Sequence, residues 1–506
     1  MNSSSRVIIN TLAQYFKTFV NIILTLYSTR LILQVLGVED FGIYTLLAGV
    51  VSMLSFATNA LATTTQRFLS FYQGKSGIEE QKNVFANSFY IHIALGLVTL
   101  CVLLVIAPYL FDGFLNIPSG RESAAKDTYF IVAIILLVTF FSTPYRAVLV
   151  SHENIVYLTF IDILDGILKV VMAISLSYVT YDKLVSYSSF MLFIQCVNLI
   201  AIGVYASVSY EECIMPSVKR IKRKYINDIT SFAGWTIYSI GCVIGRTQGV
   251  AIVINKFYGA AINASYGLGF QISGYVNFLS ESLLNAIRPQ LMRAEGAGQR
   301  SRMLWLAEIA SKYSFFLLSC LAVPCVFEMD TLLALWLGAV PEYAVMFCRM
   351  VLIASMVDTL TCGLVLANQA VGNVKQYSLA VNTIKILTLP AILFSVMVGL
   401  PLSFVAVIFV LFECMCALLR IPFVAKTGKL KVGVFIRNVF GKLLLPFLIF
   451  LFITAIVSKS VNVKFGFILS FIVPVIVYVL MFYLFGLKED EKEYIIMFLK
   501  KVKNHG

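Results

Sequence analysis

The sequence predicts an all-α integral membrane protein of about 14 transmembrane helices. Three observations support this: the composition, the length of the apolar runs and the distribution of positive charge. Of the 506 residues 59% are hydrophobic and only 13% are charged, and the mean hydropathy is +0.89. Soluble domains carry roughly twice that share of charge. A soluble chain of this length could not bury so much apolar surface in its own core, so lipid must be part of the solvent.

Fourteen apolar runs are long enough to cross the hydrocarbon core, which takes about 20 helical residues. The predicted spans are 8–35, 41–66, 84–110, 127–149, 155–179, 184–206, 229–255, 262–287, 303–327, 344–367, 376–398, 402–424, 438–457 and 464–486. The first run lacks a small-residue cleavage site and is longer than the apolar region of a signal peptide, so we expect a permanent helix.

Positive charge is strongly asymmetric when the loops are assigned alternately to the two sides. Of the 39 lysines and arginines, 26 fall on the side of the amino terminus, 6 on the other side and 7 within spans. Basic residues concentrate in short cytoplasmic loops. The bias therefore predicts that both termini are cytoplasmic and that the number of helices is even.

Several classes of protein are disfavoured by the same distribution. The net charge of +13 lies in short loops beside apolar runs, so we expect no nucleic-acid partner. The longest loop, 207–228, carries the basic run Lys219–Lys224, which we interpret as a topology signal in contact with anionic membrane lipids. No loop has room for a soluble catalytic domain, so no enzyme is expected. The ten cysteines form no CxxC and have no histidine at metal spacing, so we expect neither metal nor cofactor.

An internal repeat relates the two halves of the chain. Gly37, Arg67 and Gly74 share their spacing with Gly259, Arg288 and Gly296, at an offset of 222 between the first members of each set. An offset that covers six spans keeps the topology parallel, which predicts two pseudo-symmetric six-helix bundles related by an axis along the membrane normal. The predicted divisions are an amino-terminal bundle (1–206), a basic cytoplasmic linker (207–228), a second bundle (229–424), an extra helix pair (425–487) and a cytoplasmic tail (488–506). In the tail, Tyr494, Ile495, Phe498 and Val502 recur at helical spacing, which predicts a short interfacial helix.

The fifth span carries three charges on one face. Asp162, Asp165 and Lys169 fall within about 60° of arc at about 100° per residue. Near the bilayer centre three charges cost about 9 kcal/mol, whereas the fourteen Leu, Ile, Val and Phe side chains of the span return about 7 kcal/mol. We therefore expect this face to point at protein or water. Internal neutralisation of Asp165 by Lys169 at i,i+4 is the alternative.

Similar polar stripes run along other spans. They comprise Asn10, Gln14, Lys17, Asn21, Thr25 and Ser28 in the first span; Thr45, Ser52, Ser55, Asn59, Thr63 and Gln66 in the second; Ser273, Asn277, Glu281 and Arg288 in the eighth; Lys375, Ser378, Asn382 and Lys385 in the eleventh; and Glu413 with Arg420 in the twelfth. Single charges fall in the seventh span, at Arg246, and in the tenth, at Asp358. Together these stripes predict a hydrated, partly basic cavity shared by two halves.

One local motif resembles a known family. Arg30 precedes Leu36-Gly37, and Asp40-Phe41-Gly42-Ile43-Tyr44 follows. This pattern resembles the first helix–loop–helix of Wzx-like polysaccharide or O-antigen flippases, in which a basic residue precedes L-G-x-x-[DE]-[FY]-G-x-[YF]. The family belongs to the multidrug/oligosaccharidyl-lipid/polysaccharide (MOP) superfamily, whose layout of two six-helix bundles (MATE-like) the whole chain also resembles, with one helix pair added.

The resemblance implies a flippase of undecaprenyl-pyrophosphate-linked oligosaccharide repeat units. Such a protein moves its substrate by alternating access from the cytoplasmic to the outer leaflet of the bacterial inner membrane. The product feeds the biosynthesis of a surface polysaccharide such as O-antigen lipopolysaccharide, capsule or exopolysaccharide. A polysaccharide polymerase is an expected partner, and a gradient of H⁺ or Na⁺ is the expected energy source.

Residue roles follow from matching this substrate to the polar stripes. Lys17, Lys169, Arg246 and Lys385 are candidates for a cationic path for the anionic head group, and Arg67 and Arg288, matched in the two halves, for its capture at the cytoplasmic mouth. The candidates for ion coupling are Asp162, Asp165, Glu281, Asp358 and Glu413. No catalytic residue is expected.

Two alternatives remain open at this stage. A MATE-type cation or drug antiporter would favour acids and aromatic residues over bases in its cavity. A membrane polymerase or ligase of sugar repeats would need a sizeable outer loop, and the largest here, 111–126, is short. The intramembrane excess of bases favours an anionic substrate.

Overall fold

The computed structural model describes residues 3–52, 56–75, 77–114, 117–118, 120–213, 218–337, 340–460, 466–489 and 491–492. The α-helices are α1 (Ser3–Ser52), α2 (Phe56–Lys75), α3 (Ile78–Tyr109), α4 (Glu122–Ser151), α5 (Ile155–Ser175), α6 (Lys183–Ser209), α7 (Arg223–Tyr258), α8 (Ala260–Gly296), α9 (Arg300–Phe327), α10 (Met329–Leu337), α11 (Ala344–Thr359), α12 (Cys362–Val371), α13 (Val374–Tyr377), α14 (Thr383–Met397), α15 (Ser403–Gly428), α16 (Val432–Phe435), α17 (Lys442–Ser460) and α18 (Gly466–Met481).

Short π-helical and 3₁₀ segments complete the secondary structure. The π-helical segments are Leu110–Phe114, Ser378–Asn382, Ile436–Gly441 and Phe482–Gly486, and the 3₁₀ segments are Leu176–Tyr178, Glu211–Cys213 and Val218–Arg220. No strand occurs in the described ranges. Lipid offers the backbone no hydrogen-bond partners, and a helix satisfies them within the segment itself. The prediction of an all-α integral membrane fold is confirmed.

Most of the predicted spans coincide with helices that suit a membrane. Ten helices in the described ranges are long and apolar enough to cross one, and the bent pair α11–α12 makes eleven. The predicted spans 155–179 and 262–287 lie on α5 and α8, which are helical but carry the charged stripes and are too polar to be counted. The span 41–66 includes residues 53–55, which lie outside the described ranges, as do Tyr494, Ile495, Phe498 and Val502 of the predicted tail helix.

Contacts divide the chain into two units. The first, here the amino-terminal unit, contains Arg6–Ile237, and the second, the carboxy-terminal unit, contains Tyr238–Glu295 and Gln299 onward. In the amino-terminal unit α4 is central and packs against α2, α3, α5 and α6. Tyr129 of α4 is fully buried, and its hydroxyl donates to the carbonyl of Leu103 in α3 at 2.9 Å. The polar end of this ring is therefore satisfied inside an apolar core.

The corresponding position in the carboxy-terminal unit is taken by a broken helix. Helices α11 and α12 are bent by 48° at the break after Thr359, and together they pack against α9 and α15. Gly363, in the first turn of α12, packs against α9, and its amide donates to Ser311 Oγ at 3.0 Å. The last two long helices, α17 and α18, pack against each other and against α9.

The backbone repeats the internal symmetry seen in the sequence. Gly37, at the kink of α1, and Gly259, between α7 and α8, have φ of 78° and 88°. Asn154 (φ −86°, ψ 57°) and Asn373 (φ −85°, ψ 54°) precede α5 and α13 with nearly identical dihedral angles. The left-handed φ of the matched glycines is one that glycine adopts without strain. Equivalent turns in the two halves therefore share a conformation as well as a spacing.

A substitution at Gly363 tests the close packing of α12 on α9. A Cβ there would lie 1.9 Å from the Ala307 carbonyl oxygen, a backbone atom that cannot rotate away. We expect Gly363→Ala to lower the free energy of unfolding by at least about 2 kcal/mol, measured as the thermal midpoint of the full-length protein in detergent. Gly274→Ala, at a helical glycine where an added Cβ would have no neighbour within 4 Å, is the control and should not lower it. Equal midpoints would contradict the packing argument.

Candidate functional site

Two basic residues converge on one carboxylate of the amino-terminal unit. Asp162 Oδ2, on α5, accepts from Lys17 Nζ of α1 at 3.1 Å and from Arg146 Nη2 of α4 at 2.8 Å. Asp162 Oδ1 accepts from Arg146 Nη1 at 2.9 Å. A Cβ at Gly166, one turn along α5, would lie 2.8 Å from Leu24 Cδ1 of α1. This small residue lets the two helices approach closely enough for the short aspartate to reach both bases.

A second acid–base pair lies one turn away on α5. Lys169 Nζ lies 2.7 Å from Asp165 Oδ2, and Asn198 Nδ2 of α6 donates to Asp165 Oδ1 at 2.7 Å. The i,i+4 pairing considered from the sequence is therefore present. Lys17, Arg146, Asp162, Asp165 and Lys169 are called the Asp162 cluster below.

The carboxy-terminal unit contains a larger network with the same balance of charge. Arg246 Nη1 of α7 donates to Glu413 Oε2 of α15 at 2.6 Å. Lys385 Nζ of α14 lies 2.8 Å from Glu413 Oε1 and donates to Asp358 Oδ1 of α11 at 3.1 Å. Arg420 Nη2 of α15 donates to the same Asp358 oxygen at 2.6 Å. These five residues, three bases and two acids, are called the Glu413 cluster.

Arg420 also holds the break between α11 and α12. Its Nη1 donates to the Asp358 carbonyl oxygen at 3.1 Å and to Thr361 Oγ1 at 3.2 Å. Carbonyls at the end of a helix have no partner within it and need one from elsewhere. Arg420 therefore binds the side chain, the backbone and the following turn at the bend, which makes it the residue that most directly fixes this geometry.

The basic residues of the two clusters differ in burial. In the Glu413 cluster the side chains of Arg420 and Glu413 are 3% and 2% exposed, whereas in the Asp162 cluster Arg146 and Lys169 are 42% and 44% exposed. Each cluster has three bases and two acids. The bases of the Asp162 cluster therefore lie partly at the surface of their unit, whereas those of the Glu413 cluster are enclosed by protein and only Asp358, at 37%, is substantially exposed among its five members.

The remaining predicted site residues have different surroundings. Arg67 is buried, with its guanidinium carbon 4.6 Å from the ring centroid of Phe68 and 5.2 Å from that of Phe232. Glu281 is exposed and has no hydrogen bond or ion pair within the described part of the chain, although it interacts electrostatically with Arg288. Arg288, two turns further along α8, is half-buried, and its buried Nε has no hydrogen-bond partner there. The described residues contain no group of three or more His, Cys, Asp or Glu that could hold a metal ion.

Three basic residues that form ion pairs in the structure had no functional role in the sequence analysis. Arg146 lies near the end of the predicted span 127–149 and is one of the 26 bases counted on the side of the amino terminus, but α4 continues to Ser151 and its contact is with Asp162 of α5. Arg420 was noted only for sharing a face with Glu413. Lys312 lies within an apolar run of α9, and its Nζ donates to Glu491 Oε2 at 2.5 Å. A lysine within a long apolar run was the available signal, because such a charge needs a partner.

Comparisons with known proteins give a fold and one distant relative in sequence. No family model matches the chain. The chain is similar to the uncharacterized membrane protein EpsK of Bacillus subtilis (strain 168), with 26% identity over 153 residues. The match covers 30% of this chain and 30% of EpsK, so it spans less than a third of that relative's length.

Solved structures resemble the chain over most of its length. A MATE transporter in its bent conformation has a TM-score of 0.73 at 14% identity and covers 87% of this chain and 97% of its own. An outward-facing MATE family transporter of the MOP superfamily has a TM-score of 0.71 at 12% identity, with 86% and 97% covered. A MOP superfamily transporter from Pyrococcus furiosus, described as having a binding pocket of reverse polarity that suggests a different function, has a TM-score of 0.68 at 14% identity, with 86% and 97% covered.

At these identities the likeness shows the fold alone. The chain is a multi-pass membrane protein with a MATE-like fold. The expectation of that fold from the sequence is confirmed, and the choice of cargo is left to the chemistry of the site.

Removal of the buried carboxylate of Glu413 tests the enclosure of its cluster. Glu413→Gln leaves Arg246 and Lys385 short of a counter-charge in a buried setting, so we expect a loss of about 3–5 kcal/mol in the free energy of unfolding. Asp165→Asn, in a partly exposed pair, is the matched control and should cost about 1 kcal/mol or less. Thermal unfolding of both variants in detergent provides the measurement. Equal decreases in the unfolding temperature of the two variants would show that the Glu413 cluster is hydrated rather than enclosed.

Proposed function

We propose that the protein flips a lipid-linked oligosaccharide diphosphate from the cytoplasmic to the outer leaflet of the bacterial inner membrane, with both termini in the cytoplasm. The observation that carries this proposal is the partly exposed basic surface of the Asp162 cluster, in a multi-pass protein with a MATE-like fold. The resemblance of residues 29–44 to Wzx-like flippases supports the same substrate class, namely an undecaprenyl-pyrophosphate-linked repeat unit for a surface polysaccharide, with a polymerase acting next.

The chemistry of this substrate suits the exposed bases. A diphosphate and a polar glycan are both costly in hydrocarbon, so their passage requires water and positive charge. Arg146 and Lys169 are each more than 40% exposed on one unit, and Lys17 lies beside them. The planar guanidinium of Arg146 presents paired donors that match the oxygens of a phosphate. With three bases and two acids, the cluster retains one net positive charge.

Burial favours a different role for the bases of the second cluster. Arg246 and Lys385 were candidates for the cationic path, but their side chains are 7% and 10% exposed and pair with Glu413. A positioning role is therefore the better proposal for both. Arg67, enclosed by phenylalanine rings, is likewise better suited to holding its helix in place, whereas Arg288 remains our candidate for capture of the head group.

Ion coupling is proposed to centre on Glu281. Four of the five candidate acids, Asp162, Asp165, Asp358 and Glu413, already form ion pairs with bases. A proton or Na⁺ gains little from a carboxylate whose charge is neutralised in this way. Glu281 is exposed and makes no hydrogen bond or ion pair within the described residues, and only the longer-range attraction of Arg288 on the same helix acts on it from a base. Its charge is therefore available for H⁺ or Na⁺ to neutralise during transport.

A MATE-type cation or drug antiporter is the alternative, and the fold itself favours it. Such a protein moves cationic or neutral amphiphiles, for which exposed bases are unfavourable. The two proposals thus differ in the sign of charge on the cargo, which one reconstituted system measures directly.

The test is transport by the full-length protein in liposomes. A fluorescent polyprenyl-diphosphate oligosaccharide and the cationic dye ethidium are the two cargoes. We expect translocation of the former, reduced roughly tenfold by Arg146→Gln because a charge-assisted hydrogen bond of about 1.5–3 kcal/mol is lost. Lys256→Gln, at an exposed lysine in the last turn of α7, is the matched control and should transport normally.

The possible outcomes separate the two functions. Transport of ethidium without the diphosphate would establish the antiporter and overturn the flippase. In cells, a deletion should accumulate complete repeat units on the cytoplasmic leaflet, whereas unpolymerised units on the outer leaflet would indicate a polymerase. For coupling, Glu281→Gln should abolish the response of transport to an imposed H⁺ or Na⁺ gradient, and an unchanged response would exclude Glu281.

A further inference from the structure

Asp162 occupies the place that a phosphate would take between two bases. Its two carboxylate oxygens accept three hydrogen bonds, one from Lys17 at 3.1 Å and two from Arg146 at 2.8 and 2.9 Å. The paired donors of a guanidinium bind a carboxylate and a phosphate in the same side-by-side geometry. The bases thus already hold an anion, which belongs to the protein itself.

This internal anion lies where an external one can compete for its bases. The side chains of Arg146, Lys17 and Asp162 are 42%, 25% and 19% exposed. Partly exposed ion pairs contribute little free energy, so a competing anion has little to overcome. Glu413 differs from Asp162 in burial. It also pairs with two bases, but its side chain is only 2% exposed, so a molecule from outside cannot replace it.

We propose that Asp162 is a resident competitor for the phosphate-binding bases, displaced when a diphosphate binds and restored when it leaves. This inference rests on the proposed function for the identity of its substrate. A diphosphate carries more negative charge than one carboxylate and therefore displaces it from Lys17 and Arg146. The aspartate lowers the affinity of the site for the head group, which a carrier needs if it is to release its cargo. Asp162 then acts on binding and release rather than on ion coupling.

The affinity for diphosphates, measured in variants that each lack one charge of the cluster, tests this inference. The full-length protein in detergent is titrated calorimetrically with inorganic pyrophosphate, with farnesyl diphosphate and with uncharged farnesol. Asp162→Asn removes the competitor, so we expect it to bind the diphosphates at least about fivefold more tightly than wild type. Arg146→Gln should bind them more weakly than wild type.

The matched control is an aspartate that also neutralises an arginine of the same unit. Asp182 accepts from Arg121 Nη1 at 2.6 Å, and Asp40 accepts from the same guanidinium. Asp182→Asn removes one carboxylate from Arg121, a half-buried arginine far from the cluster in sequence, and keeps an acceptor for the amides of α6. We expect its affinity for the diphosphates to equal that of wild type.

Each outcome decides the inference. Tighter binding of both diphosphates supports it, and tightening for farnesyl diphosphate alone supports it with a lipid head group as the source. Unchanged or weaker binding by Asp162→Asn overturns it, as does an equal gain for farnesol. Asp162→Ser, which removes the same charge with a smaller side chain, serves if the asparagine variant does not fold. If the wild-type protein transports the glycan lipid but Asp162→Asn does not bind diphosphates more tightly, this inference alone is wrong. If Asp162→Asn binds them more tightly but the wild-type protein does not transport the glycan lipid, the proposed function is wrong.

Discussion

A charged side chain inside a bilayer is stable only when a counter-charge or water is within reach, and this constraint organises both units of the protein. Asp162 joins α1, α4 and α5, and the Glu413 cluster joins α7, α11, α14 and α15. Removal of one member of a buried pair leaves an uncompensated charge, which costs far more than the pair contributes. The ion pairs therefore specify which helices are neighbours, where apolar packing in lipid discriminates weakly between them.

The same chemistry serves two purposes in the two units. In the Glu413 cluster enclosure makes the contacts firm, and Arg420 uses them to hold a broken helix at a fixed bend. In the Asp162 cluster exposure makes the contacts exchangeable, which is the property that a binding surface needs. Composition cannot distinguish these cases, since each cluster has three bases and two acids. Exposure distinguishes them, and for this reason our proposed cationic path uses Arg146 and Lys169 rather than Arg246 and Lys385.

Hydropathy and charge predicted the helical membrane fold because lipid leaves the backbone almost no other choice. The pairing of Asp165 with Lys169 was also foreseeable, since i,i+4 contacts are local. The pairing of Lys17 with Asp162 was not, because 145 residues separate them and only the packing of α1 on α5 brings them together. The pairing of Arg146 with Asp162 was missed because Arg146 lies near the end of its predicted span and was counted with the charges of the adjacent loop, while its partner lies on the next helix.

Lys312 gives the order of assembly in the membrane a physical limit. Its ammonium group is 3% exposed within α9, and its counter-charge, Glu491, follows 179 residues later, after α17 and α18. During synthesis the α9 segment is thus made well before Glu491, the counter-charge that its lysine has in the folded protein. Until Glu491 is present, the charge of Lys312 needs water or another counter-charge, because an unpaired charge is costly in lipid.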